Sequence, residues 1–556
     1  MENLQEQIDQ LYLNGIAYRE TISHKLPIEY VSHQKLSETI RNDLEIGKIN
    51  PLYKHLFHST PLMDQWCENY TTDKSFLKHT QRCIKRYSVK DYVCDGFQKG
   101  YQDFISETNF IDKYQYIGFK FLKHLNESST FLHSLSLYNL ASPVLSLLSP
   151  LMMLILPFMI IKLQNGSITI DAYIQHLKKV FVQTSLYQLL FNTQSLSLQS
   201  RMSALFSLFI YGLQLYNNTI SCVSFYRNIT KVYQFLIDYK THIKQSIDLC
   251  REVSRDVSAY SSYEGFRKEL SRQLEGFYRI LDKLEQIRPC ETIGAKISQV
   301  GLLMNLYYDL FMKEENHASV TYSFFIHDFN RDMLSLRRAV REKIIRKCTF
   351  KSETKMKGLY YLPHQKEKVR NDADLKSNLM ISGPNASGKT TLLKSVFLNT
   401  IMSQQFGFGC YEKASIHCYD VFHSYLNIPD TSGRDSLFQA EARRCKDIVD
   451  CIVKFPEKRH LCIFDEIYSG TNPSDAVSCA KLYLEGLNKY KSKVDYMITT
   501  HYIELCEHFK GKPLVSNKKM MVREFPEKLE YDYKMTDGIS YINGGMFILK
   551  QLEYSL

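Results

Sequence analysis

The chain has 556 residues, 44% of them hydrophobic and 23% charged. That ordinary globular balance excludes a wholly disordered chain, a collagen and a many-span membrane carrier, and at about 150 residues per domain it leaves room for three or four domains. Seventy Lys and Arg against 59 Asp and Glu give a formal charge of +11, a mild excess that permits an anionic partner, nucleic acid or membrane surface, without requiring one.

The 14 Cys include no Cys-x-x-Cys pair. Neither Cys445/Cys451 nor Cys410/Cys418 has the spacing of a zinc ribbon or finger. They read as reduced, mostly buried thiols of an intracellular protein, cytoplasmic or nuclear. The N-terminus, MENLQEQIDQLYL, lacks the apolar core of a signal peptide, so secretion is not expected.

Residues 1–135 read as an N-terminal helical region, mixed polar and aromatic, with no chemical constellation. A second helical region, 136–234, holds two uncharged stretches. Leu140 to Ile161, LASPVLSLLSPLMMLILPFMII, has 16 apolar residues in 22 positions, with prolines at 143, 150 and 157. At 1.5 Å per residue it is long enough to cross a hydrocarbon core of about 30 Å. Neighbouring helices let a membrane helix tolerate proline; the alternative is a kinked, buried hairpin in a soluble domain. Met202 to Tyr226, between Arg201 and Arg227, is a weaker candidate because it carries Ser, Asn and Tyr. Basic residues flank both stretches on both sides and set no orientation.

Residues 235–348 form a helical core or lever domain. Phe266, Leu270, Leu274, Phe277, Leu281, Leu284 and Ile287 step by threes and fours, one apolar stripe stopped by Pro289. A second helical run, from about Val320 to Ile345, ends in basic residues. The stripe favours a self-packed helical pair; the sharper alternative is a pair of levers that carry motion into the C-terminal domain.

From 349 to 556 short apolar strands alternate with helices, the pattern of an α/β domain with a largely parallel sheet. NLMIS, Asn378 to Ser382, reads as a buried strand. GPNASGKT, Gly383 to Thr390, comes directly after it and leads into the helical TLLKSVFLNTIM. This is Gly-x-x-x-x-Gly-Lys-Ser/Thr, the Walker A pattern, in its strand–loop–helix context. Gly383 and Gly388 let the backbone wrap so that amides face phosphate oxygens, with the helix N-terminus adding positive charge. Lys389 is expected to neutralise the β- and γ-phosphates of ATP, and the Thr390 hydroxyl to ligate Mg²⁺. Pro384, Asn385, Ala386, Ser387 and Thr391 complete the expected nucleotide-binding set.

A second strand, HLCIF, runs into Asp465-Glu466. Asp465 is expected to hold Mg²⁺ and Glu466 to polarise the attacking water. A third, DYMITT, ends at His501, placed to donate to the γ-phosphate and sense its loss. Between the first two lies SGRDSLFQAE. Its Ser436, at a helix start, is a candidate γ-phosphate contact across a dimer.

These residues together resemble the ATPase domain of the MutS family of DNA mismatch repair proteins, within the ABC ATPase superclass. GPNASGKTT is similar to that family's phosphate loop, and Asn371-Asp372 to the pair that precedes it. SGRDSLFQAE resembles its Ser-Thr-Phe-x-x-Glu signature through Ser436, Phe438 and Glu441, with Leu437 in place of Thr. FDEIYSGTNPSDA resembles the magnesium-carboxylate segment and D-loop, through Asp465, Glu466, Gly470, Thr471 and Asp475. TTHYIEL resembles the Thr-His switch, and TDGISYINGG a C-terminal segment. The resemblance implies an ABC-type P-loop ATPase domain behind a mostly α-helical region with long lever helices. It also implies ATP and Mg²⁺ as cofactors, a homodimer or heterodimer through the ATPase domains, and DNA as partner.

The departures are equally plain. No Phe-x-Glu, the pair that wedges beside a mismatched base, occurs in the first 350 residues. The chain ahead of the ATPase is short for a full set of mismatch-reading, connector, core and clamp domains, and little lies beyond it for a dimerisation tail. Three readings compete. One is a DNA-acting MutS-like ATPase; the second is a membrane-anchored MutS-like ATPase that acts without mismatch recognition. The third, a transporter-type ATPase, comes last because the Leu-Ser-Gly-Gly-Gln signature is absent.

Overall fold

In a computed structural model of the protein, the described residues are 24–46, 56, 61–92, 95–163, 169–183, 198–289, 292–364, 368–426, 437–525 and 529–542. They divide into two compact units. One takes residues 93–247 and 275–323; the other takes 24–92, 248–274 and 324–556. This division cuts across the expected regions 1–135, 136–234 and 235–348.

The first unit is helical and its core is aromatic. Phe110 stacks on Phe311 with ring centroids 3.7 Å apart, and Phe104 lies 4.6 Å from Phe235. Tyr307 donates to the Tyr114 hydroxyl at 3.1 Å. Helix α1 (Ser129–Leu163) starts against the helix Val300–Met312. The approach is close enough that a Cβ on Gly301 would sit 2.2 Å from the Ser129 carbonyl oxygen, so only glycine fits there. Helix α2 (Leu198–Val257) contributes its residues up to 247 to this unit.

The stripe expected at 266–287 forms the helix Glu264–Glu285, and Phe266, Leu270, Phe277 and Leu284 are fully buried. The second run forms Glu314–Arg341. Both helices bury one face because their apolar positions recur at helical spacing.

The second unit is built on a six-stranded sheet: β1 (Asn378–Ser382), β2 (Val421–Tyr425), β3 (His460–Asp465), β4 (Val494–Thr500), β5 (Val515–Glu524) and β6 (Leu529–Asp537), in the order β6-β5-β1-β4-β3-β2. The five strands β5, β1, β4, β3 and β2 run parallel, and β6 pairs antiparallel with β5. Every residue of β1 and of β4 is buried. That is why Leu379 to Ile381 and Tyr496 to Ile498 are apolar without alternation: a parallel sheet is covered on both faces. Helices α3 (Lys389–Gln405), α4 (Leu437–Lys454) and α5 (Pro473–Asn488) alternate with these strands. A five-stranded mixed sheet of short strands between Arg346 and Ile416 adjoins this fold.

Residues 24–92 belong to this unit because polar side chains tie them to it. Gln405 Nε2 donates to the Cys67 carbonyl at 2.7 Å, Gln81 Nε2 to the Gly407 carbonyl at 2.6 Å, and the Tyr70 hydroxyl to the Asp420 carbonyl at 2.9 Å. Trp66, 1% exposed, packs edge-on against Phe406.

Among the described residues the cysteines are free, and most are buried. Burial pushes the thiols of Cys83, Cys348 and Cys410 up to about 12, which keeps them protonated and inert.

Candidate functional site

The turn after β1 dictates the site. Ser382 ends a buried strand, and α3 opens only at Lys389, so six residues must reverse the chain in a small radius. Two of them take left-handed backbone: Ala386 (φ 62°) and Gly388 (φ 91°). Only glycine takes that conformation without strain. A Cβ on Gly383 would meet Ser387 Oγ at 2.8 Å and Met520 Cβ at 3.2 Å, so that position is constrained by space. The first amides of α3 have no intrahelical partner and carry the positive end of the helix dipole.

Side chains from three strand ends converge here. Lys389, 5% exposed, is held by the loop itself: its Nζ donates to the carbonyls of Gly383 (2.9 Å) and Pro384 (3.3 Å) and to Asn385 Oδ1 (3.4 Å). It also pairs with Glu466 Oε1 at 3.1 Å. Thr390 Oγ1 donates to Asp465 Oδ2 at 2.8 Å. The other oxygen of Asp465 accepts from the Thr499 hydroxyl at the end of β4. The Glu466 amide donates to the Thr499 carbonyl at 3.2 Å, which fixes the strained backbone of Glu466 (φ 50°). His501 Nδ1 lies 3.5 Å from Glu466 Oε2. His501 and then Lys389 hold the Glu466 carboxyl down at about 2, against the opposing effect of burial, so it is ionised at neutral pH.

Beside the loop is a cavity of about 650 Å³, lined by Asn385 to Leu392, Asp465 and Glu466 on one side and by Tyr360, Tyr361, His364 and Tyr533 on the other. Its volume is that of a small-molecule site. Two observations test its fit to a phosphate and a magnesium ion. Ser387 Oγ is buried without a hydrogen-bond partner, an orphan donor in the middle of the loop. Thr390 and Asp465 offer hard oxygen ligands side by side, the donor type Mg²⁺ takes. The residues present fit both groups.

The structure brings together Gly383 to Thr391, Asp465, Glu466 and His501. Ser436 lies outside the described residues. Sequence reading missed Thr499, although it stands in the strand-end DYMITT, and Tyr361 and Tyr533, for which no local signal exists. It also left Glu441 without a partner. Glu441, 2% exposed on α4, accepts from the Ser469 amide (3.1 Å), the Ser469 hydroxyl (2.9 Å) and the Gly470 amide (3.1 Å). It thereby clamps the loop that comes after Asp465-Glu466. A Cβ on Gly470 would meet Leu437 Cγ at 2.8 Å and the Phe438 amide nitrogen at 2.9 Å, which accounts for glycine there. Cys451 lies near His423 and His460. These imidazoles hydrogen-bond each other at 3.0 Å, and burial lowers both below the usual range, so the pair is neutral.

The family model "MutS domain V" matches residues 379–553, which contain the loop, the carboxylates and His501. Three similar proteins are each named DNA mismatch repair protein MutS. That of Desulfatibacillum aliphaticivorans is 33% identical over 162 residues, 29% of this chain and 18% of the relative. That of Thermotoga petrophila is 27% identical over 259 residues, 46% of this chain and 29% of the relative. That of Phocaeicola vulgatus is 29% identical over 195 residues, 34% and 22%. The chain thus spans less than a third of the length of these relatives. Sequence match and strand-end geometry meet in the same 175-residue stretch: residues 379–553 are similar to MutS domain V.

Proposed function

We propose that the protein is a Mg²⁺-dependent MutS-like ATPase that converts ATP and water to ADP and phosphate and couples that cycle to DNA, in a role related to mismatch repair. One observation carries the reading. The Thr390 hydroxyl and the Asp465 carboxylate, 75 residues apart in sequence, meet at 2.8 Å beside the Lys389–Glu466 pair. No packing requirement calls for that set of polar groups around a cavity.

In this reading the amides of Gly383 to Thr391 cradle the triphosphate, and Lys389 exchanges Glu466 for β- and γ-phosphate oxygens. Thr390 and Asp465 would hold Mg²⁺, which neutralises charge on those phosphates when bound. Glu466, ionised at neutral pH, orients a water and takes its proton as the water oxygen bonds to the γ-phosphorus and the bond to the β-phosphate oxygen breaks. His501 holds Glu466 in place and donates to the γ-phosphate. Tyr361 and Tyr533 offer aromatic surface of the kind a purine stacks on. Ser436 reaches the γ-phosphate of a second ATPase domain in a homodimer or heterodimer. The whole is a P-loop, ABC-type site, with the long helices as levers.

The test has two arms. Phosphate release from ATP is measured with Mg²⁺ and with excess chelator; turnover that survives chelation rejects the mechanism. A gel shift with homoduplex and G·T heteroduplex then tests the DNA arm. Binding should weaken steeply with salt, since it rests on phosphate contacts; the absence of a shift at low salt rejects DNA as partner. A second reading, the same ATPase anchored to a bilayer, is favoured by the exposed apolar surface of α1.

A further inference from the structure

Helix α1 carries no Lys, Arg, Asp or Glu from Ser129 to Ile161, and yet most of its first half is not buried. Among the described residues one stretch, Ser129–Ser149, is long and apolar enough to cross a membrane by length and composition, and only 11% of it is buried. It overlaps the first half of the expected stretch 140–161; the expected stretch 202–226 does not reach that measure. A helix apolar all round belongs in a protein core or a membrane, and the first of these is excluded by the exposure. Val144 and Leu147 are 58% and 61% exposed on α1, and Phe206 and Phe209 are 65% and 62% exposed on α2.

Several polar groups of this pair face inward. Tyr211 of α2 donates to the Ser146 carbonyl of α1 at 3.1 Å, Asn218 Nδ2 donates to Ser146 Oγ, and Cys222 Sγ lies 3.2 Å from the Leu140 carbonyl. Leu140 thus meets Cys222 while Ser146 meets Tyr211 and Asn218, so the two helices run antiparallel as a hairpin. Outward, α1 exposes Leu137, Val144, Leu145, Leu147 and Leu148, and α2 exposes Leu205, Phe206, Leu208, Phe209 and Ile210, with Gln214, Asn217 and Thr219 further along. Membrane helices likewise place Ser, Asn and Tyr between one another.

The prolines give an independent argument. Proline has no amide hydrogen, so each one frees the carbonyl four residues earlier. Pro143 frees Asn139, whose carbonyl accepts from the Ser142 hydroxyl at 2.9 Å. Pro150 frees Ser146, whose carbonyl accepts from Ser149 Oγ at 2.8 Å and from Tyr211 across the hairpin. Beside Pro157, the Phe158 amide donates to the Tyr173 hydroxyl at 3.1 Å. On a water-exposed helix the solvent would satisfy such groups. Here protein hydroxyls reach two of the three freed carbonyls, those of Asn139 and Ser146, as a hydrocarbon environment favours.

We propose that α1 and the first half of α2 form a hairpin that inserts into the hydrocarbon interior of a lipid bilayer. Uncharged runs from 140 to 161 and from 202 to 226 amount to roughly 33 and 37 Å of helix, enough for a core of about 30 Å. Lys162 and Arg201 lie at one end and Arg227 and Lys231 at the other, where their heads reach the two headgroup layers. The proposal extends the anchored reading and rests on no nucleotide step, so its failure and that of the ATPase reading are separable.

The experiment is flotation of the full chain, without nucleotide, with phosphatidylcholine vesicles. The expected result is that the protein floats and stays with the vesicles through high salt and alkaline carbonate. A doubly substituted chain, Leu147→Asp with Phe209→Asp, should float at least about 100-fold less, because a carboxylate in hydrocarbon is strongly disfavoured. Both positions are exposed, so the substituted chain should keep the wild-type helix content by circular dichroism. Wild-type protein that remains in the aqueous fraction, or that salt alone removes, overturns the proposal. So does a detergent-free oligomer in which hydrogen exchange of 140–161 is protected, since a second copy would then be the occupant. If the double substitution disturbs the fold, a single environment-sensitive label at position 209 replaces it. No blue shift on adding vesicles counts against insertion.

Discussion

Lys389 Nζ and Glu466 Oε1 form a 3.1 Å ion pair whose lysine is almost wholly enclosed by its own loop. The lysine is therefore held beside the carboxylate before any ligand arrives, with the Gly383 and Pro384 carbonyls and Asn385 Oδ1 as its other partners. Substituting Lys389 with Ala should weaken Mg-ATP binding by roughly 10- to 100-fold or more, the value of one to two charge-assisted hydrogen bonds. Titration calorimetry reads this directly, and affinity unchanged within about twofold would remove Lys389 from the site.

Glu466→Gln should bind ATP with near wild-type affinity and lose about 100- to 10,000-fold in turnover, the usual contribution of a positioned general base. Single-turnover phosphate release is the measurement. Full turnover in the variant would refute the assignment.

The same residue carries a pH signature. Its carboxyl is held near 2 in the fold by His501 and Lys389, below its ordinary value of about 4.3. The stabilisation is therefore complete above about pH 4.5 and disappears as pH falls toward 2. Urea unfolding of wild type and Glu466→Gln should show a stability gap at pH 6 that closes across that window. A gap independent of pH from 6 to 2 would contradict this linkage.

Glu441 satisfies two amides and a hydroxyl of the loop after the acidic pair. Glu441→Ala removes the shared acceptor of those half-exposed donors, at a cost of about 1–2 kcal/mol, and should lower turnover as the Asp465-Glu466 segment loosens. Glu441→Gln, which keeps an acceptor, should lose less than half as much stability. Equal losses in the two variants would mean that packing, not hydrogen bonding, is what Glu441 supplies.

Asp495, at the start of β4, is 2% exposed and binds Arg459 at 2.6 Å, Lys491 and the Tyr419 hydroxyl at 2.9 Å. Asp495→Ala strands two cations at the start of a central strand and should cost about 3–5 kcal/mol. The site lies at the other end of the strand, so the nucleotide affinity of the folded fraction should be unchanged; a large drop in affinity would show that the sheet transmits the damage.

The loop from 383 to 390 was legible in the sequence alone, because its pattern is local. The glycines at 383 and 388, Lys389 and Thr390 lie within eight positions, and the strand before them and the helix after them are set by apolar runs and spacing. The strands ending at Asp465 and Thr500 were legible for the same reason, and the stripe from Phe266 to Leu284 gave its helix by periodicity. Partners distant in the chain were not legible. That Glu441 clamps Ser469 and Gly470, that Thr499 orients Asp465, that Gln405 ties residues 61–92 to the unit of the six-stranded sheet and that Tyr211 caps the carbonyl freed by Pro150 are all contacts over 28 to 338 residues. Propensity and periodicity describe which face of an element is apolar. Which element that face meets is decided only when the whole chain has packed, because a polar group's partner is chosen by distance in space.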